Sequence, residues 1–448
     1  MSKYHIQTVQ EDLSWFSRLP NLRVSGLYAL IVLILSTQPF FDAIPTGLQS
    51  RFIIDMMWLV VFATGLYLVF RNSGMQWIVW SVRKLPLLWL VLLVAIGSCL
   101  WSLDPSWTLY SVSWMVGTSL VGIALGYLLS PKILMRVLFW VFSGILVASL
   151  AAELLYLYGS NQWPESESIL QVEAYRWRGT TSHPNLLGPI SASAGSFFLI
   201  ALLFHRLDWR LALSMCVLAT LISLMTRSAT SIVMLATGFA VPLCLNVGKR
   251  MRLGGDLAAL LVMLGLLGSA AIGLVHWEST TSMLGKSVTA TNRTEIWEDA
   301  INIVADRPLV GYGYGAVWGL GFYSRLPEHE TTLRMLHAHN GYLQLATQLG
   351  IPTTIASALL LVHALVRGLA AYARWRSAFA LFCTSYVIMF MIANVTEARL
   401  FEPRQFDWLL LVLLATALAR AAPSATGRRA AAGQRRLVGP DHDYRRDR

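Results

Sequence analysis

Charge is scarce in this chain. Asp, Glu, Lys and Arg make up 13% of its 448 residues, against 56% hydrophobic ones. A soluble domain keeps roughly a quarter of its residues charged, so a water-soluble globular class is excluded. Cysteine is scarcer still. Cys99, Cys216, Cys244 and Cys383 all fall inside apolar runs, with no CxxC pair and no metal-ligand spacing. That leaves them as small packing residues rather than parts of a disulfide or metal framework. The polar N-terminus carries no cleavage-site pattern, so no removable signal peptide is expected and the first apolar run serves as its own insertion signal. The glycine-rich segment GYGYG at 311–315 lacks the dinucleotide spacing and any βαβ context, which removes a Rossmann cofactor site.

Long apolar runs are what the chain has instead. A span needs about 20 apolar residues. Twelve are expected, at 25–41, 52–70, 85–101, 109–129, 132–157, 184–204, 210–226, 229–247, 256–276, 345–367, 376–394 and 405–420. The fold class is therefore an all-α polytopic membrane protein. Its expected organisation is a cytoplasmic N-terminus at 1–24, a transmembrane domain at 25–420 with outer loops at 158–183 and 277–344, and a basic disordered tail at 421–448. Lys and Arg in the short loops set the orientation. With both termini inside, 24 of 35 fall on the inner side, among them Arg83, Lys84, Lys249, Arg250 and eight arginines from Arg420 onward. The net charge of +11 is thus a positive-inside signature and not a nucleic-acid footprint. The tail can rest on anionic lipid head groups.

The polar chemistry gathers on the outer side, in five stretches: RGTTSHPN at 178–185, TRSATS at 226–231, TNRTEIW at 291–297, RPLVGYGYGAVWG at 307–319 and HAHNGYL at 337–343. They are rich in Arg, His and Asn rather than metal-binding carboxylates. That combination points to handling of an anionic substrate at the outer membrane surface. In the second outer loop Thr294 can cap a helix running through TEIWEDAINIVADRP. Ile296, Trp297, Ala300, Ile303 and Val304 would share its apolar face, and Pro308 would stop it. HAHNGYLQLATQLGI reads as a helix leading into the next span.

Arg227 sits in a three-residue break between two spans, beside Thr226, Ser228, Thr230 and Ser231. A permanent cation there either snorkels to head groups or clamps a phosphate, whose oxygens match the guanidinium fork. Arg293 stands at a helix start, where amide donors favour an anion. Surface pairing with Glu295, Glu298 or Asp299 is the alternative. Arg178 and Arg176 are weaker candidates that can pair with Glu173. His337 and His339 precede Asn340, and a histidine is the usual base near neutral pH. On a helix the two rings would diverge by about 200° and could not share a target, whereas on a strand they would face one way and could bind metal. A metal site is not expected, because no third ligand is obvious beyond His183. Tyr312, Tyr314 and Trp318 offer faces for sugar rings, or act as interfacial aromatics. Glu153 and Asp55 lie near outer span ends, where each can touch the site or snorkel. The sequons at Asn292 and Asn394 are read as coincidence.

At SHPNLLG, TRSATS, the basic residue before TEIW, RPLVGYGYGAVW and HAHNGYLQLATQLG, the chain resembles the bacterial O-antigen ligase and polysaccharide polymerase superfamily. The resemblance covers about 170–360. Asn292 departs from it, since relatives carry Gly before the Arg. The set looks most like the Wzy-type exopolysaccharide polymerases, with the WaaL-type O-antigen ligase as runner-up. The resemblance implies a GT-C-like membrane glycosyltransferase at the periplasmic face of the bacterial inner membrane, with no cofactor. Its donor would be an oligosaccharide on undecaprenyl diphosphate. Its acceptor would be a growing polysaccharide or lipid A-core, and membrane lipids and a chain-length regulator are further partners. It assigns proton acceptance to His339, with His337 as the alternative. Arg227, Arg293 and Arg178 would hold the diphosphate, while Asn185 and Asn340 orient sugar or base. Direct displacement implies inversion, and arginines in place of a divalent ion imply metal-independent transfer. A transporter is the competing class, but it should carry its polar residues near the bilayer midplane.

Overall fold

The computed structural model describes residues 24–38, 51–160, 176–250, 293–318 and 337–421, with only the backbone described at 51, 156–160, 247–250 and 293–295. The span expected at 256–276, the acidic stretch with Glu165, Glu167 and Glu173, and the basic tail lie outside the described residues. Among the described residues the chain is all-helical. Its helices are α1 (Val24–Leu35), α2 (Arg51–Ser73), α3 (Gln76–Lys84), α4 (Pro86–Gly97), α5 (Pro105–Leu128), α6 (Pro131–Ser160) and α7 (Pro184–Leu203). They continue with α8 (Trp209–Met225), α9 (Ala229–Arg250), α10 (Arg293–Asp306), α11 (Gly341–Trp375), α12 (Ala378–Thr396) and α13 (Phe406–Ala421).

Seven of these, α2, α5, α6, α7, α9, α11 and α12, are long and apolar enough to cross a membrane. The chain is thus a polytopic all-α membrane protein. Helices α1, α8 and α13 coincide with expected spans but are shorter, at 12, 17 and 16 residues. The run expected at 85–101 instead forms one arm of a corner, α3 and α4, bent by 101°. Leu85 at the corner has φ −129° and ψ 51°. A residue before proline is pushed out of the helical region, and Pro86 enforces that here.

Helices α7, α8, α9 and α12 pack together, and α13 packs on α5. Ser191, Ala192, Ser193, Ala194 and Ser196 of α7 are all buried. Small side chains let the backbones approach closely, which is how membrane helices associate where apolar burial gives little drive. Exposed apolar side chains such as Phe52 and Val60 on α2 face outward, where lipid would lie.

One break positions everything that follows. Gly350 interrupts α11 with φ 80° and ψ 168°. That region belongs to glycine alone, and a Cβ there would overlap the Leu309 carbonyl oxygen. The break frees carbonyls that the glycine-rich loop uses. Tyr312 N–H donates to Thr347 O (3.1 Å), Gly313 N–H to Gln348 O (2.9 Å), and Ile351 N–H to Pro308 O (2.7 Å). Gly350→Ala is expected to destabilise the fold by about 1–3 kcal/mol, read as a lower unfolding temperature in detergent. An unchanged midpoint would show that the break tolerates a side chain.

Candidate functional site

Residues of α5, α7 and α11 and of the loops beside them line a cavity of about 450 Å³. Its first wall is the segment before α7. Trp177 N–H donates to Met225 O (3.1 Å), and Arg176 Nε donates to Thr226 O (2.9 Å), which ties this segment to the α8–α9 turn. The buried Glu153 carboxylate on α6 accepts from the amides of Arg178 (2.9 Å) and Gly179 (2.7 Å). Glu153 thus shapes the loop behind the cavity. Helix α7 starts with Pro184 at its first turn, as proline favours, and His183 Nδ1 accepts from the Asn185 amide (3.1 Å). Burial and the Arg176 charge push the His183 ring below its ordinary pKa, against an upward pull from Glu397.

The second wall carries the two histidines. Asn340 caps α11, its Oδ1 accepting from the amides of Tyr342 (3.0 Å) and Leu343 (3.1 Å). The helix therefore begins after the His-Ala-His segment, and the expectation that the two rings diverge is overturned. Their centroids lie 3.9 Å apart. His337 Nδ1 accepts from the His339 amide (3.3 Å). His339 has φ 49°, a left-handed conformation that is uncommon for a non-glycine residue and recurs at functional sites.

The third wall is the α12–α13 loop, which the sequence reading did not single out. Glu397 Oε1 accepts from Asn185 Nδ2 (2.9 Å), and its Oε2 lies 3.6 Å from His339 Nδ1. Asn185 Oδ1 in turn accepts from an Arg176 guanidinium nitrogen (2.7 Å). A polar chain thus runs Arg176, Asn185, Glu397, His339. Arg399, buried, pairs with the buried Asp407 of α13 and donates to the Asn185 carbonyl. Arg404 pairs with Asp55 (2.7 Å) under a donor bond from Tyr110 and lies 4.3 Å from the Trp114 ring centroid. Asp55 therefore clamps this loop to α2 and α5. A signal for the loop was present: Glu397, Arg399, Glu402, Arg404 and Asp407 crowd between two apolar runs.

Glu402 lines the cavity. Its Oε1 accepts from Gln344 Nε2 (2.6 Å), and Gln344 Oε1 accepts from the Ala338 amide (3.1 Å). Burial raises its carboxyl from 4.5 to about 7, against the opposing effects of the Gln344 bond and the Arg399 charge. The fold holds this proton more tightly than the unfolded chain does. The stability it contributes is full below pH 4.5 and is lost as pH rises through about 7. Glu402→Gln is expected to flatten the unfolding temperature across that window. A variant that keeps the wild-type slope would place the titration elsewhere.

Of the residues singled out in the sequence, the cavity brings together His337, His339, Asn185, Tyr314 and Trp318, with His183. Tyr314 is anchored by its hydroxyl to the Phe401 carbonyl (2.7 Å), and Trp318 Nε1 donates to Thr347 Oγ1 (3.0 Å). Burial and the Glu402 charge push the Tyr314 phenol well above its ordinary range, so it remains a neutral donor. Tyr312 does not line the cavity. It packs in a cluster with Ile296, Ala300 and Ile303 of α10, under the Arg307 guanidinium at 4.5 Å. Asn340 is a helix cap rather than a lining residue. Arg227 is exposed with φ 48°. It adjoins Thr226, which Arg176 links to Asn185. Arg178 is also exposed. Helix α10 opens at Arg293, so Thr294 lies in its first turn instead of capping it. The Arg293 side chain lies outside the described residues.

Residues 214–358 match the family model described as O-antigen ligase. The chain is also similar to the exopolysaccharide production protein ExoQ of Rhizobium meliloti (strain 1021). The two are 29% identical over 234 residues, covering 49% of this chain and 52% of that relative, so the chain spans about half its length. The residues matched by the family model include the TRSATS turn, the glycine-rich loop and the His-Ala-His segment, and both similarities support a relation to the O-antigen ligase and polysaccharide polymerase superfamily.

Proposed function

We propose that the protein is a membrane glycosyltransferase that polymerises oligosaccharide repeat units carried on undecaprenyl diphosphate. The observation that carries this is the cavity holding His339 with Glu397 behind it, beside an arginine-bearing turn. A base oriented by a third group is the arrangement that activates a hydroxyl. His337 already uses Nδ1 to accept the His339 amide, which leaves the proton on its Nε2 and supports His339 as the base. Glu397 would hold His339 Nδ1–H, so that Nε2 takes the proton from the acceptor hydroxyl. The acceptor oxygen then bonds to the anomeric carbon of the donor as the bond to the diphosphate oxygen breaks, inverting that centre. The diphosphate departs on its lipid. Arg227, Arg293 and Arg178 are assigned to hold it, without a metal ion, because guanidinium groups stabilise phosphate charge directly. Asn185, Tyr314 and Trp318 would orient the sugars. The site would face the periplasm of the bacterial inner membrane, with both termini inside.

The test is transfer by purified protein from lipid-linked repeat unit, with no nucleotide sugar and with chelator present. Wild type should give a product ladder that His339→Ala lacks. A ladder from both would remove His339 from the chemistry. A wild-type ladder abolished by chelator and restored by metal would overturn metal independence. The family description favours a second reading, O-antigen ligation. Transfer that occurs only when lipid A-core is supplied would select it. No transfer by folded protein to either acceptor would return a transporter to the front.

A further inference from the structure

Beyond His183 no third ligand for the two histidines is obvious in the sequence, and the fold supplies a carboxylate from 58 residues downstream of His339. One ring nitrogen each of His337 and His339 and a carboxylate oxygen of Glu397 lie within 4.8 Å of one another. His339 Nδ1 is buried and has no hydrogen-bond partner among the described residues, and it faces Glu397 Oε2 at 3.6 Å. That spacing suits two ligands of one ion. Zinc bonds of about 2.0–2.2 Å in a tetrahedron put ligand atoms about 3.3–3.6 Å apart. We propose that His337, His339 and Glu397 form a binding site for a divalent transition-metal ion of the zinc class, and that its occupancy blocks transfer by taking the His339 nitrogen and the Glu397 oxygen through which the base and its carboxylate meet.

The chemistry of the donors fits that class. Two imidazoles and one carboxylate suit zinc and its neighbours, whereas magnesium and calcium prefer oxygen ligands. Glu397 is pre-oriented by the Asn185 bond on its other oxygen (2.9 Å). Such outer contacts fix ligand geometry and are worth about 10–100-fold in affinity. The His337 ring offers one nitrogen to this group. The left-handed backbone at His339 turns the two rings against each other, which a helical His-Ala-His segment could not do. Three protein ligands leave a fourth position, filled by water, within the cavity these residues line.

The inhibitory part rests on the reading of His339 as the base, but the site itself does not. The experiment is zinc titration of the purified full-length protein with its affinity tag removed, by calorimetry and by metal content after desalting. One zinc per chain is expected in wild type, weakened by at least about tenfold in both Glu397→Gln and His337→Asn, with both variants checked for wild-type unfolding temperature. Zinc should also abolish the product ladder, and chelator should restore it. Absence of stoichiometric zinc, or binding unchanged in both variants, overturns the site. Stoichiometric binding that leaves the ladder intact overturns the inhibition. Binding lost in both variants by a protein that transfers no glycan under any condition supports the site while removing the glycosyltransferase reading.

Discussion

Glu397→Gln is expected to lower turnover about 10²-fold, and His339→Ala about 10²–10⁴-fold, with little change in the donor concentration needed for half-maximal rate. The two effects come from one device. Glutamine preserves the shape of Glu397 and can keep a bond to Asn185 through its amide oxygen, but it carries no charge toward His339. An imidazole that gains a proton in the transition state loses its stabilising partner, and one that can accept the proton at either nitrogen loses its fixed tautomer. The present 3.6 Å separation of His339 Nδ1 and Glu397 Oε2 is longer than a hydrogen bond, as is common before substrate closes a site. Steady-state rates on lipid-linked repeat unit check this. The double variant should be no slower than His339→Ala alone, since the carboxylate acts through the ring. Multiplying losses would mean that Glu397 works independently of His339.

Arg399→Ala is expected to destabilise the protein by about 3–5 kcal/mol, because it strands a buried carboxylate. Both partners of the Arg399–Asp407 pair are 4% exposed at the side chain, so solvent screens little of the loss. The same substitution removes the donor to the Asn185 carbonyl, which disturbs α7 at the point where it meets Glu397. Arg399→Met combined with Asp407→Leu should recover much of the stability, since a buried pair replaced as a whole leaves no orphan charge. Thermal unfolding in detergent reads both. If the single variant melts like wild type, the pair contributes nothing and Asp407 is satisfied elsewhere.

The helices were legible because lipid imposes long apolar runs, and the start of α7 because Pro184 opens it. The corner at Leu85 is not legible because Arg83 and Lys84 read as an inner loop ahead of the run at 85–101, whereas they close α3, nine residues with a mixed sequence. His337 and His339 were legible as chemistry. Their convergence was not, because it depends on whether Asn340 caps the helix or lies inside it, a difference of a few residues. Glu397 and Arg399 went unremarked because charges in a short loop ordinarily face water. Their pairing with Asn185, more than 200 positions away, is set by packing of α7 against α12. Tyr312 and Tyr314 alternate in the same loop and look equivalent, yet the turn geometry sends one into the α10 cluster and the other against Phe401.

The chain from Arg176 through Asn185 and Glu397 to His339 has a consequence for biogenesis. Its members are spread over about half of the chain, and the carboxylate arrives last, after α12 has entered the membrane. Synthesis of the segment that matches the family model is finished by then, but the His339 ring still lacks its anchor. A nascent protein at that stage has every arginine of the TRSATS and TEIW stretches and both histidines, but not the carboxylate that faces His339. Loss or misinsertion of α12 and α13 should therefore abolish the proposed transfer without touching a residue between 214 and 358.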